Sequence, residues 1–350
     1  MAFGQVRLSA EEKIGLVSNL STMLTAGIPI ADTIAALLEE AKGNQRKILL
    51  TLQEDITAGK QISESFSKFP FVFNKVTVSL IRAAEEAGTL EATLKDLETS
   101  IQDEMEFEDK VKSAMFYPMV VMVIFVGVML SMLLIVIPRI STVFSRLQVP
   151  LPLPTKILIF SSNLIIHNWL IVSLVVLLIA TAIVILFQTK REFILSLFFG
   201  LPVISKLVRQ IDITRFSRSL HLLLASGIPI TSSLELAQEV ILKREVRVLV
   251  EKAREQAAAG HPFSQGLRSK QAVIPNMMIK LMEVGERSGT LEESMLNVAT
   301  HMDYQVSKQI KKLTALLEPI MLVLVGVAVG GMMLSIIAPI YGLISQVGAR

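Results

Sequence analysis

The sequence predicts an all-α membrane protein made by duplication, with two cytoplasmic helical bundles of about six helices each and three transmembrane helices. Three observations carry this reading. The first is an internal repeat: Leu24-Thr25-Ala26-Gly27-Ile28-Pro29-Ile30 returns as Leu224-Ala225-Ser226-Gly227-Ile228-Pro229-Ile230, Gly88-Thr89-Leu90-Glu91 returns as Gly289-Thr290-Leu291-Glu292, and Pro118 and Pro138 return as Pro319 and Pro339. A period near 200 residues marks a duplicated domain, since solenoid units repeat every 20–50. The offset is 200 at the first block and 201 afterwards, so one residue was gained between them. The second observation is composition: 52% hydrophobic residues and a mean hydropathy of +0.58 exceed what a soluble protein carries, yet 19% of residues are charged. The chain is therefore divided between lipid and water. The third is that residues 119–137, 157–187 and 319–349 carry no Asp, Glu, Lys or Arg, each long enough for the ~20 apolar residues that cross a bilayer.

The elements follow in order. Residues 1–118 form the first soluble domain, and nothing at its start has the apolar core of a signal peptide. Ser9 with Glu12 is a capping box, and Ile14, Val17, Leu20, Met23 and Leu24 recur at helical spacing until Gly27 and Pro29 stop the helix. The same punctuation returns at Gly59 and Gly88, where Thr89 caps a last helix with Glu91 in its first turn. That helix runs into the first span, 119–137, with Pro118 as a kink near the interface and Pro138-Arg139 closing the span. Residues 138–163 read as a short external loop, stiffened by Pro150, Pro152 and Pro154. Residues 164–187 are the return span that lets two repeats of like orientation share one compartment. Residues 188–318 repeat the soluble domain, with Thr290 and Glu293 as a fuller capping box, before the third span at 319–344 and an external end at 345–350.

Lysine and arginine set the orientation. Lys110, Lys112, Lys190, Arg191, Lys206, Arg209, Lys308, Lys311 and Lys312 flank the spans on the side of the repeats, against Arg139, Arg146, Lys156 and Arg350 on the other. By the positive-inside rule both soluble domains and the N-terminus are cytoplasmic and the C-terminus is external. The repeats differ in charge: residues 1–118 hold 12 basic and 18 acidic residues, net −6, and residues 190–318 hold 18 and 13, net +5. Much of the excess is the run Asp96 to Asp109, seven acids without a base. It reads either as a solvated helix face or as a dock for a basic partner, such as the second repeat of this or a neighbouring copy.

Catalytic patterns are missing from the sequence. There is no G-x-x-x-x-G-K-[ST] loop, no G-x-G-x-x-G after a strand and no H-E-x-x-H helix, and His167, His221, His261 and His301 lack metal-ligand spacing. Cysteine is absent. No enzyme activity, cofactor, metal or nucleic acid is expected. The spans lack the ionisable groups that a transporter or channel with duplicated halves places at depth, and no external domain serves a receptor. Gly326 and Gly330 form a small-xxx-small pair for helix packing, and Glu318 stands beside Pro319 at the mouth of a span. The Gly-Ile-Pro-Ile and Gly-Thr-Leu-Glu blocks are helix-stop signals first. Glu85 and Glu286, three residues before the glycine in each copy, sit where the helix dipole disfavours a carboxylate, so another contact is expected.

These residues give the chain its resemblance to a known family. The A/S-G-I-P-I block around Gly27 and Pro29, and again Gly227 and Pro229, is similar to that of the bacterial type II secretion system F domain. So are Gly285-Glu286-Arg287-Ser288-Gly289-Thr290-Leu291, its counterpart from Ala84 through Glu85 and Gly88 to Leu90, the span-leading Tyr117-Pro118 and Glu318-Pro319, and Leu151-Pro152-Leu153-Pro154-Thr155. The first copy departs from the pattern at Ala84 and Ala87, where glycine and serine are usual. The resemblance implies an inner-membrane platform protein of type IV pilus assembly or type II secretion, and hence a bacterial inner-membrane location. It implies as partners a cytoplasmic hexameric assembly ATPase, pilins or pseudopilins, other inner-membrane assembly proteins and further copies of the chain. The resemblance also leads us to expect that an N-terminal extension of many relatives is missing or short here.

Overall fold

A computed structural model describes residues 6–147, 153–168, 202–268 and 273–347, with isolated positions between 170 and 181. Among the described residues the fold is helical and contains no strand. The chain divides into two compact units, one made of residues 1–110 with 202–308 and the other of 111–201 with 309–350. The first unit thus draws on both repeats, which the sequence was expected to keep as separate bundles.

In the first unit, α1 (Ala10–Thr25), α2 (Ile30–Glu40), α3 (Gly43–Thr57), α4 (Ile62–Ser67), α5 (Lys75–Ala87) and the start of α6 (Leu90–Ser131) come from the first repeat. α9 (Pro202–Ala225), α10 (Ile230–Gln238), α11 (Arg244–Ala258), α12 (Phe263–Leu267), α13 (Asn276–Ser288) and the start of α14 (Leu291–Val347) come from the second. The Ser9–Glu12 box forms as expected: Glu12 N–H donates to Ser9 Oγ at 3.1 Å and Ser9 N–H to Glu12 Oε2 at 2.8 Å. Gly27 ends α1 at φ +78°, which lets Ile28 N–H reach back to Met23 O at 3.0 Å. Gly227 at φ +76° does the same through Ile228 N–H and Leu223 O. Both are left-handed closures that a Cβ would strain. The residue gained by the second repeat falls between α10 and α11, where the link runs from Glu239 to Lys243 against Ala41 and Lys42 in the first repeat.

One contiguous apolar cluster fills this unit, including Leu16, Ile34, Ile48, Phe66, Phe69 and Phe73 from the first repeat and Phe216, Leu234, Leu249, Phe263 and Met282 from the second. These positions recur at three and four residues along each helix, which puts them on one buried stripe per helix. Helices of five or six residues such as α4 and α12 are too short to persist without burial of that stripe.

The second unit holds the end of α6, a π-helical turn (Met132–Val136), α7 (Ile137–Leu147), α8 (Leu153–His167) and the end of α14. α6 passes through Pro118 without ending, and α14 passes through Pro319. The helices over Leu90–Thr142 and Leu291–Ile337 are long and apolar enough to cross a membrane. Most of the expected return span, 164–187, lies outside the described residues. The helix does not end at Pro138, and the segment 138–163, expected as a loop, is largely helical through α7 and α8. Proline signals misled in both places: Pro154 falls in the first turn of α8, where a missing N–H costs nothing, and Pro138 is absorbed by the π turn just before it.

Candidate functional site

Two prolines matched by the repeat create the most specific polar geometry of the second unit. In the π turn Ile137 N–H bonds Met132 O, five residues back. The next link in that register would run from residue 138 to Leu133 O, and Pro138 has no N–H to give. Ser162 Oγ of α8 donates to Leu133 O instead, at 2.6 Å. In α14, Ser335 O would accept from residue 339, which is Pro339, and Thr155 Oγ1 of α8 donates to it at 2.6 Å. Thr155 and Ser162 are each 1% exposed. Seven residues apart on α8, they share one face, so a single helix satisfies an orphaned carbonyl in each proline-interrupted helix. Thr155 figured in the sequence only as the end of the Leu151–Thr155 segment, and Ser162 not at all. The signal that could have found them was the matched pair Pro138 and Pro339, each stripping a donor from a helix interior.

In the first unit, Glu85 and Glu286 find their contact inside the chain. Glu85 Oε1 accepts from Ile62 N–H at 2.7 Å, and its Oε2 from Ser63 N–H at 3.3 Å and Ser63 Oγ at 3.1 Å. Glu286 repeats this on Phe263 N–H at 2.6 Å, Ser264 N–H at 3.3 Å and Ser264 Oγ at 2.7 Å. The N-terminal flanking residues of α4 and α12, Gln61 and Pro262, provide no side-chain cap. The distant carboxylate satisfies these orphan donors and faces the positive end of the short helix. Gly88 and Gly289 close α5 and α13 at φ +70° and +75°, which aims the chain into the next helix. Gly285 is a close approach: a Cβ there would lie 2.1 Å from Ser294 Oγ. Ser288 Oγ meets Val284 O at 2.9 Å and Thr290 Oγ1 at 2.7 Å. Pro29 and Pro229 stand at the N-terminal flanks of α2 and α10.

The remaining sequence candidates lie on the long helices. Tyr117 is 60% exposed, Pro118 follows it inside α6, and Glu318 and Pro319 are exposed on α14. Gly326 and Gly330 have open space where a Cβ would stand, so among the described residues no helix packs closely against them.

The acidic run meets the second repeat of the same chain. Arg215 pairs with Glu104 at 3.1 Å, Arg218 pairs with Asp103 at 3.1 Å and also with Asp303, and Lys75 of α5 pairs with Glu239 at 2.8 Å. Beside these pairs lies a cleft of about 760 Å³, lined by Lys13, Val76, Leu97, Leu222 and Val240 among others. Burial lowers the Lys13 ammonium from its usual range, opposed by Glu104, and burial raises the Asp303 carboxyl against the pull of Arg218. Each repeat also holds a buried carboxylate of its own. Lys68, with Lys60 and Ser65, holds Asp55 down at about 2, and burial raises Asp212, whose oxygens accept from Leu242 and Lys243 N–H at 3.0 and 2.7 Å. No cluster of three metal-ligating side chains occurs among the described residues.

A family model described as Type II secretion system (T2SS), protein F, matches residues 16–138 and again 216–339. The type IV pilus assembly protein PilC of Thermus thermophilus is 31% identical over 95% of this chain and 82% of its own. The type IV pilus assembly protein TapC of Aeromonas hydrophila is 28% identical over 96% and 82%. The type II secretion system protein F of Aeromonas hydrophila is 27% identical over 97% and 88%.

Proposed function

Because the chain belongs to the type II secretion system protein F family, we propose that it is a non-enzymatic inner-membrane platform for assembling a type IV pilus or type II secretion fibre. In this reading the N-terminus and both repeats are cytoplasmic, three spans cross the membrane, and the C-terminus is external. A cytoplasmic hexameric assembly ATPase engages the repeats, and pilins or pseudopilins pack against the spans on their way into the fibre. Other inner-membrane assembly proteins and further copies of the chain complete the platform.

The observation that carries the reading is the continuity of α6 and α14. Each begins at a glycine-closed turn within its repeat and runs without a break through Pro118 or Pro319 into an apolar stretch. A helix is stiff along its axis, so displacement of its charged start is passed to its apolar end. Tyr117, Pro118, Glu318 and Pro319 lie at that transition and are proposed to contact partners there. Gly326 and Gly330, open on α14, are proposed to receive a helix from another molecule.

The test is a proline insertion after Lys112 or after Lys312, which interrupts the helix without touching either repeat's core. Normal protein level with no assembled fibre or secreted substrate is expected. Normal assembly in both insertion strains would overturn the coupling.

A further inference from the structure

The two repeats meet through faces that are not equivalent. α5 of the first repeat packs against α9 and α10 of the second, which buries Val76 to 5% exposure. A contact of this kind is heterologous, because each repeat uses one face and leaves the counterpart of its partner's face unused. Among the described residues, the faces that hold no helix of the other repeat are α13 in the second repeat and, in the first, the side of α1–α2 that carries Ala36, Glu39 and Glu40; Lys13 of α1 lines the cleft instead.

Both carry the marks of a vacant half-interface. On α13, Met277 takes the place of Val76 and is 67% exposed, and Val284, one heptad on, is 64% exposed. Lys280 stands exposed between them. On α2, Ala36, Glu39 and Glu40 are exposed, whereas their counterparts Leu236, Glu239 and Val240 line the cleft beside α5. The vacant faces also oppose in charge, with Lys280 on one and the Glu39-Glu40 pair on the other, in repeats of net +5 and −6.

We propose that α13 of one molecule docks on the α1–α2 face of a second copy of this chain, repeating between molecules the contact that α5 makes within one. The occupant is a second copy because the receiving face is built by the same helices, in the same order, that already hold a homologous helix in this chain. Glu40 in place of Val240 makes the face more polar than its intramolecular counterpart, which suits a contact that forms and releases. Repeated from copy to copy, the contact closes into a ring, of which a two-fold pair is the smallest, or continues as a chain of copies. The inference deepens the homo-oligomeric part of the proposed function and names its surface.

The chain has no cysteine, so two can be placed at will. Met277→Cys with Ala36→Cys, in the full chain in native membranes, is expected to give a ladder of cross-linked dimers and larger species with a short bismaleimide. The two single variants co-expressed should give dimer only, and either alone none. Lys280→Glu should cut the yield about two- to fivefold, the range of an exposed ion pair, and Glu39→Lys should restore it. A dimer from Met277→Cys alone, or a yield no higher than with Met277→Cys and Leu50→Cys, would overturn the surface. If cross-linking fails while the detergent-extracted mass is multimeric, only the surface falls; a monomeric mass would remove the homo-oligomer reading with it.

Discussion

Replacing Ser162 with alanine deletes one hydroxyl and leaves Leu133 O with no donor, because Pro138 cannot supply one. A buried carbonyl left unsatisfied costs about 1–3 kcal/mol, whereas hydrogen bonds between helices in lipid average about 0.6 kcal/mol with a maximum near 1.7. With Ser162 only 1% exposed and the bond at 2.6 Å, water cannot replace the donor, and a loss near the upper lipid value, about 1.5 kcal/mol, is expected. Thr155→Val is the isosteric counterpart at Ser335 O and should cost about the same. The assay is reversible SDS unfolding of the full chain in mixed micelles, followed by circular dichroism. A double-mutant cycle isolates the cause: Pro138→Ala restores a backbone donor, so Ser162→Ala in that background should cost less by about 1 kcal/mol. Pro339→Ala should relieve Thr155→Val in the same way. If either hydroxyl deletion costs as much with alanine as with proline, the hydroxyls are not substituting for missing N–H groups and the account of the two prolines is wrong.

Three further outcomes concern the first unit. Gly285→Ala drives a Cβ to 2.1 Å from Ser294 Oγ and should cost about 1–3 kcal/mol of overpacking in thermal unfolding, partly recovered by Ser294→Gly; an unchanged midpoint would mean that α13 and α14 are not in close contact. Glu286→Gln keeps the shape but loses the charge facing α12 and should cost about 1 kcal/mol, with Glu85→Gln similar at α4, read as lower resistance to limited proteolysis near residues 62–67 and 263–267. Asp55 is held at about 2, below its unfolded value near 3.9. Its stabilisation is therefore complete above pH 4 and is lost as pH falls from there through 2. Since Lys60 is half exposed, the amount is roughly 1–2 kcal/mol, and Asp55→Asn should flatten the acid limb of the stability profile. An acid limb unchanged in that variant would assign the loss to other groups.

Helix stops and caps were the most legible part of the fold, because Ser9, Gly27, Gly88 and their counterparts act through local backbone geometry that a single stretch of sequence encodes. The target of Glu85 was not legible, since Ile62 and Ser63 lie more than twenty residues upstream and only the packing of α4 on α5 brings them to the carboxylate. Asp103 and Glu104 could be marked as a dock, but Arg215 and Arg218 were indistinguishable from other bases of a basic repeat until α9 was seen against α6. A proline in a long apolar helix ends it only when the freed carbonyl finds no other donor, and here Thr155 and Ser162 of α8 provide one from more than twenty-five residues away in sequence, a distance no local pattern encodes.

The two repeats solve one packing problem with different chemistry, and the difference bears on how each responds to its surroundings. In the second repeat, Gly266 brings α12 so near α11 that a Cβ would lie 2.5 Å from Ala253 Cα. In the first repeat the matching residue is Ser65, whose hydroxyl donates to buried Asp55 at 2.8 Å while Lys60 and Lys68 neutralise the charge. Both helices carry a glutamate on their first N–H groups, but at this position close backbone contact holds α12, and that contact does not depend on pH or salt. A buried carboxylate with partly exposed lysine partners holds α4, and that bond weakens when acid protonates the carboxylate or salt screens the lysines. The α4 segment of the first repeat should therefore exchange amide hydrogen faster than α12 as pH falls below 4, with the gap closing in Asp55→Asn. Equal exchange across that pH range would mean that close packing, not the carboxylate, holds both helices.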